Sequence, residues 1–166
     1  MDGRLGVVSG SAWRSTARQL PVRLSVGAFF LDSSLSKLKA DEATAEGLQQ
    51  FAAATYPDLG KLPPQKFARL LAAGEMGIAA TLLLPVVPAA VAGAALTAFA
   101  CGTLGLYVRT PGMRKEGSLR PTEQGITLAK DIWLLGAGIS LMVHGLTEQS
   151  GPAPTRHGSR RRMLRR

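Results

Sequence analysis

Seven charged residues lie within or at the ends of long apolar stretches, and their side chains are the ones best placed to do chemistry. They are Arg23, Asp32, Lys37, Glu75, Arg109, Lys130 and Asp131. Unpaired charge is expensive in lipid, so such groups pair with one another, face the inside of a helix bundle, or mark a path for a proton or substrate. We therefore treat the seven as a candidate intramembrane polar network.

Glu75 has no charged neighbour on its own helix. The residues one turn away are Leu71, Ala72, Ile78 and Ala79. Because only positions three and four residues apart are neighbours on a helix, a cationic partner must come from another helix. The candidate partners are Arg109, Lys130 and Lys37. Such a pair either fixes the packing of two helices or handles a quinone, a proton or a small substrate.

Several other kinds of chemistry are excluded. Cys101 is the only cysteine, so the chain has no internal disulfide, thiol redox pair or thiolate metal cluster. Only one of the two histidines, His144, lies in an apolar stretch, so the chain cannot hold a haem between two histidines of its own. No ligand spacing for a metal, no phosphate-binding glycine loop and no catalytic triad motif is present. The sequence predicts no metal site, no covalently bound cofactor and no catalysis by the chain alone.

The strongest structural signal surrounds Glu75. Residues 76–108 are 33 consecutive residues without a charge, which as one helix would be about 50 Å long, well beyond a hydrocarbon core of about 30 Å. Pro85 and Pro88 interrupt this run, and proline both removes a backbone donor and disfavours helix in the residue before it. The pattern predicts two antiparallel helices, at about 67–84 and 89–108, joined by a tight turn.

Two further spans complete an all-α, integral membrane four-helix bundle. One covers residues 125–146 and contains Lys130 and Asp131, and the other covers residues 20–38, with Arg23, Asp32 and Lys37. An even number of spans follows if both basic termini lie on one side of the membrane. The loop at 40–66 contains an amphipathic segment, which predicts a short helix lying at the membrane interface.

A stripe of small residues runs along the third span at four-residue spacing. Its members are Ala89, Gly93, Thr97, Cys101 and Gly105. Small residues allow helix backbones to approach closely in lipid. The stripe predicts packing within the bundle, with a ligand slot or an oligomer contact as the alternative.

The net charge of +9 is concentrated at the ends of the chain. Residues 1–19 form a basic segment with three arginines and one aspartate, and they lack the apolar core of a secretory signal. Residues 147–166 hold six arginines against Glu148, and this composition predicts a disordered tail that contacts anionic lipids and does not bind nucleic acid. The distribution predicts a multi-pass protein of the inner (plasma) membrane with both termini in the cytoplasm.

The stretch from Arg23 to Leu146 resembles the DoxX family of small bacterial membrane proteins. The segments that carry the resemblance are Arg23–Leu31, Ser34–Lys37, Asp41–Glu42, Thr55–Pro57, Arg69–Gly77, Leu106–Met113 and Arg120–Asp131. The resemblance implies a four-helix membrane bundle associated with quinone-linked sulfur oxidation or with membrane redox and oxidative-stress complexes.

The same resemblance implies a role for the charged residues. Those within its motifs are Arg23, Lys37, Glu75, Arg109, Lys130 and Asp131. They would form a polar network at a lipid or quinone pocket, while a soluble redox enzyme would supply the thiols or cofactors. The function expected is an accessory subunit of a membrane redox complex. The alternative is a small-molecule transporter or permease that uses the same charges as a binding path.

Overall fold

The computed structural model describes residues 10–149 and the side chains of residues 18–147. The described chain is all-α and contains no strand, only an isolated antiparallel bridge between Arg114 and Pro121. Most of the predicted basic segment 1–19 and of the predicted disordered tail 147–166 lies outside the residues whose side chains are described.

The first helix, α1, runs from Gly10 to Leu38. It begins ten residues before the predicted span 20–38, since the helix also includes residues 10–19. Pro21 lies inside the helix. The hydroxyl of Ser25, one turn later, donates a hydrogen bond to the carbonyl oxygen of Pro21 at 2.8 Å.

The loop after α1 contains the predicted short helix. This helix, α2, runs from Glu42 to Ala53, and a 3-10 turn follows at Pro57–Lys61. Asp41 caps α2 by accepting a hydrogen bond from the backbone N–H of Thr44 at 2.9 Å. Hydrogen bonds from the side chain and backbone of Thr44 hold the pKa of Asp41 below its usual range. An acidic cap of this type also complements the positive end of the helix dipole.

The two helices of the predicted hairpin have the expected break between them. Helix α3 runs from Pro64 to Leu83 and helix α4 from Ala89 to Arg109. Pro64 occupies the first turn of α3, where a missing N–H is tolerated. The chain between the two helices turns at residues 84–88, where Pro85 and Pro88 prevent a continuous helix.

The last predicted span is divided in two. A short helix, α5, covers Ile126–Ala129, and the long helix α6 covers Ile132–Gln149. The charged residues Lys130 and Asp131 lie at the junction, where the N–H of Asp131 donates to the carbonyl oxygen of Leu128 at 3.0 Å, a tightened turn. These two charged residues therefore lie just before the first residue of the apolar helix α6 and not in its interior.

The helices pack as two antiparallel pairs, α1 with α3 and α4 with α6. The pairs meet at a core formed by Phe30, Ile78, Ala79, Leu82, Ala92, Leu96 and Leu141. The ring of Phe30 contacts that of Phe99 edge-on, with 4.9 Å between centroids. Although α3 and α4 are adjacent in the sequence, α3 packs mainly against α1, and α4 packs mainly against α6.

Close backbone approach holds α4 against α6. A Cβ added at Gly93 would overlap the backbone of Gly138 and Met142, and one added at Gly138 would overlap Thr97. Gly145 in turn lies against Ala89 and Ala90. The first half of the small-residue stripe on α4 is thus used for packing inside the bundle.

In the described part of the chain, two stretches are long and apolar enough to cross a membrane, namely α4 and Ile126–Thr147, which covers α5 and most of α6. In the most apolar 18-residue windows of these stretches, only 28% and 11% of the residues are buried. The core helix of a soluble protein would be mostly buried, whereas most residues of these two windows are partly or fully exposed. Trp133, for example, is 74% exposed. Apolar exposure on this scale is typical of a surface that contacts lipid or another protein.

Candidate functional site

The structure pairs Glu75 of α3 with Lys37 of α1. The Lys37 ammonium nitrogen lies 2.9 Å from Oε2 of Glu75. The Glu75 side chain is 5% exposed and that of Lys37 is 18% exposed. The carboxylate is therefore enclosed between the two helices, while the lysine lies at the edge of the contact.

The pair forms because of the way α1 and α3 lie against each other. Contacts between the two helices run in opposite chain directions, from Arg23 with Leu82 to Lys37 with Glu75. Lys37 is close to the C-terminal end of α1, so its long side chain can extend along the helix surface to a carboxylate nearer the middle of α3. A positive charge near a helix C-terminus also complements the helix dipole.

Two serines on α1 add polar groups beside this ion pair. The hydroxyl of Ser33, one turn before Lys37, accepts a hydrogen bond from the ammonium group at 2.6 Å. The hydroxyl of the fully buried Ser34 donates to the carbonyl oxygen of Leu31 at 2.7 Å and approaches the sulfur of Met76 at 3.7 Å. Ser33, Lys37 and Glu75 thus form one connected cluster, which we call the α1–α3 polar cluster.

The donors of Lys37 are not all used within this cluster. An ammonium group has three N–H donors, and two are directed at Ser33 and Glu75. No other described residue accepts the third. The cluster can therefore donate one further charge-assisted hydrogen bond to a carbonyl or anionic oxygen at the edge of the α1–α3 contact.

Arg23 is buried at the opposite end of α1 and has a different role. It is 4% exposed. Its guanidinium donates to the carbonyl oxygens of Leu82 at 3.0 Å, Thr81 at 2.9 Å and Val87 at 2.8 Å. These carbonyls belong to the last turn of α3 and to the turn that follows it, so Arg23 satisfies a helix C-terminus that would otherwise be buried without donors.

Arg109 lies at the end of α4 and forms no hydrogen bond or ion pair with the α1–α3 polar cluster. Its guanidinium carbon is 6.0 Å from the centre of the Tyr56 ring, within range of a cation–π contact. The Tyr56 hydroxyl donates to the carbonyl oxygen of Gly102 at 3.1 Å, and Thr55 and Thr110 share a hydrogen bond of 2.8 Å. These contacts fasten the loop that contains α2 to the end of α4.

The remaining candidates are also separate. Asp32 is exposed on α1, with no hydrogen bond or ion pair to another described residue. Lys130 is exposed at the start of the last span. Asp131 is half-buried and interacts with the side chain of Thr103 on α4. The seven candidate residues therefore do not form one network, because Arg23 lies at the opposite end of α1 and, of the seven, only Lys37 and Glu75 form an ion pair.

Ser33 and Tyr56 contribute to these contacts although their sequence context did not single them out. Ser33 precedes Lys37 by four residues, the spacing at which helical side chains meet, so this signal was present in the sequence. The contact of Tyr56 with α4 has no comparable local signal, because it joins positions 46 residues apart in the chain.

Cys101 is exposed on α4. Among the residues that the structure describes, no group of three or more His, Cys, Asp or Glu side chains could hold a metal ion.

Comparison with known proteins gives no relative for this chain. No protein-family model matches it, and no curated protein and no solved structure is similar to it.

Proposed function

We propose that this chain is a DoxX-like, four-span protein of the inner membrane that serves as an accessory subunit of a membrane redox complex, and that the α1–α3 polar cluster contacts a quinone. The observation that carries the proposal is the position of the Lys37 ammonium group. It is paired with Glu75 at 2.9 Å and retains one donor at the edge of the helix contact.

The apolar surface supports the membrane location. In addition to the two apolar spans, α1 and α3 expose large apolar side chains, among them Phe29 and Leu70. Helices α1 and α3 are packed antiparallel to each other, and α3 leads through a short turn into α4. This connectivity supports the proposal of four spans, which would put the start of α1 and the end of α6 on one side of the membrane and the two long loops on the other.

The chemistry of the polar cluster supports contact with a quinone. A quinone presents carbonyl oxygens, which accept hydrogen bonds, on a ring that is soluble in the apolar part of the bilayer. The carboxylate of Glu75 holds the ammonium group of Lys37 in position. Hydrogen bonds from charged donors contribute about 1.5–3 kcal/mol. Because the chain has a single cysteine, electrons and thiols would come from a partner enzyme.

The test is quinone binding by the purified full chain in mild detergent, with a short-chain naphthoquinone as the probe. We expect Lys37→Gln to weaken binding at least tenfold, since it removes the charged donor. Lys39→Gln is the matched control, because Lys39 is exposed and lies two residues away at the end of the same helix. Equal binding by the wild type and Lys37→Gln, or no binding by the wild type, would contradict quinone contact.

A second measurement addresses the accessory role. Gentle purification from native membranes, followed by mass spectrometry, should recover a redox enzyme in stoichiometric amount. Recovery of the chain alone, combined with solute flux into liposomes that is abolished by Glu75→Gln, would instead support the transporter.

A further inference from the structure

A cleft of about 320 Å³ opens in the loop that follows α4. Its lining includes three basic residues, Arg109, Arg114 and Lys115, and one acidic residue, Glu116. The lining therefore has a net charge of +2 from these four side chains. The α1–α3 polar cluster does not contribute to it.

The loop that forms the cleft has a defined backbone. The N–H of Lys115 donates to the carbonyl oxygen of Arg120 at 2.9 Å, and the N–H of Thr122 donates to that of Met113 at 3.0 Å. Gly112 and Gly117 have positive φ angles of 84° and 65°, which glycine adopts most readily. Arg114 and Lys115 thus belong to a hydrogen-bonded hairpin, while Arg109 is held by the end of α4.

The basic groups of the cleft have no acidic partner in the described part of the chain. The ion pairs there are Lys37 with Glu75 and Lys61 with Asp58. Arg109 lies over the Tyr56 ring, a contact that orients the guanidinium and leaves its N–H donors available. A guanidinium has five donors in a fork that fits the oxygens of a phosphate group.

The position of the cleft indicates that the phosphate belongs to a lipid headgroup. Arg109 is the last residue of α4, a helix long enough to cross a membrane. A residue at the end of a span lies at the depth of the lipid headgroups, where basic side chains are attracted to anionic lipid. Since the lining carries a net positive charge, an anionic headgroup is favoured over a zwitterionic one.

We infer that the cleft formed by Arg109, Arg114 and Lys115 binds the phosphate headgroup of an anionic phospholipid, on the side of the membrane opposite the chain termini. This site is distinct from the lipid contact expected of the arginine-rich tail. It depends on the proposed membrane location but not on quinone contact.

The experiment titrates dioleoylphosphatidylglycerol onto the full chain in mild detergent and measures bound lipid by native mass spectrometry. A hydrogen bond from a charged donor contributes about 1.5–3 kcal/mol, so Arg114→Gln combined with Lys115→Gln should weaken binding at least tenfold. The matched control combines Lys39→Gln with Lys66→Gln, two exposed lysines outside the cleft. The tail is unchanged in every variant.

Further variants and probes separate the alternatives. Arg114→Lys combined with Lys115→Arg keeps the charge and should retain binding. Dioleoylphosphatidylcholine should bind weakly, and millimolar inorganic phosphate should not displace the anionic lipid. Equal losses in the cleft variant and the control would overturn the inference, as would displacement by inorganic phosphate, which would indicate a site for a free anion. Lys37 lies outside the cleft, so Lys37→Gln should weaken quinone binding and leave lipid binding unchanged. The two proposals can therefore fail independently.

Discussion

At the scale of single residues, Arg23 and Lys37 show how one helix uses two cations differently. Lys37 pairs with a carboxylate at the edge of a helix contact. Arg23 has no carboxylate partner among the described residues and donates instead to backbone carbonyls at the end of α3. The planar guanidinium can reach several carbonyls at once, whereas an ammonium group is a single point of charge.

This difference leads to a prediction for Arg23. Arg23→Gln should destabilise the protein by about 2 kcal/mol, because buried carbonyls lose a charged donor. Thermal unfolding of the full chain in detergent, followed by circular dichroism, measures the change. Arg18→Gln is the control, since Arg18 lies on the same helix and is exposed. Similar melting temperatures for the two variants would show that the capping contacts contribute little.

At the scale of helices, the pairing of α4 with α6 depends on the absence of side chains. Gly93 and Gly138 lie where the two backbones approach most closely. Other glycines of the same helices, Gly102 and Gly136, have nothing within 4 Å of an added Cβ. Glycine is therefore required at the crossing and replaceable elsewhere.

Alanine substitutions test this distinction. Gly93→Ala and Gly138→Ala should each destabilise the protein by about 1–3 kcal/mol, because an added methyl group forces the helices apart. Gly102→Ala and Gly136→Ala should be neutral or slightly stabilising, because alanine favours helix over glycine. Unfolding in a denaturing detergent measures all four variants. A uniform response would mean that helix propensity and not close packing sets the effect.

At the scale of the whole molecule, the helix pairs place α2 and the loop after α4 at one end of the bundle. The turn between α3 and α4 lies at the other end, with the first part of α1 and the end of α6. If all four long helices cross the membrane, the two loops face one side and the turn faces the other. If only α4 and α6 cross, α1, α3 and the turn lie together on one side.

Cysteine labelling in intact cells distinguishes the two arrangements. In a Cys101→Ser background, Lys61→Cys and Glu116→Cys should react with an impermeant maleimide from outside. Val86→Cys, at a position that is 85% exposed, should react only after the membrane is permeabilised. Reaction of Lys61→Cys only after permeabilisation, together with Val86→Cys, would contradict the four-span arrangement.

Local features of the sequence are sufficient to predict much of the helical structure. The prolines at 85 and 88 predict the break between α3 and α4, and the loop at 40–66 contains the expected helix α2. A single cysteine cannot form a disulfide or a thiol pair within the chain. These predictions succeed because proline geometry, helical spacing and residue counts depend on a few neighbouring positions.

The partners of the charged side chains are decided only by the tertiary structure. Sequence reasoning left Arg109, Lys130 and Lys37 as alternatives for Glu75, and the antiparallel contact of α1 with α3 selects Lys37. The same contact turns Arg23 toward the carbonyls of α3 and leaves Asp32 on the outside. Which charges meet depends on the relative position and rotation of helices that are far apart in the chain, and no local rule specifies these quantities.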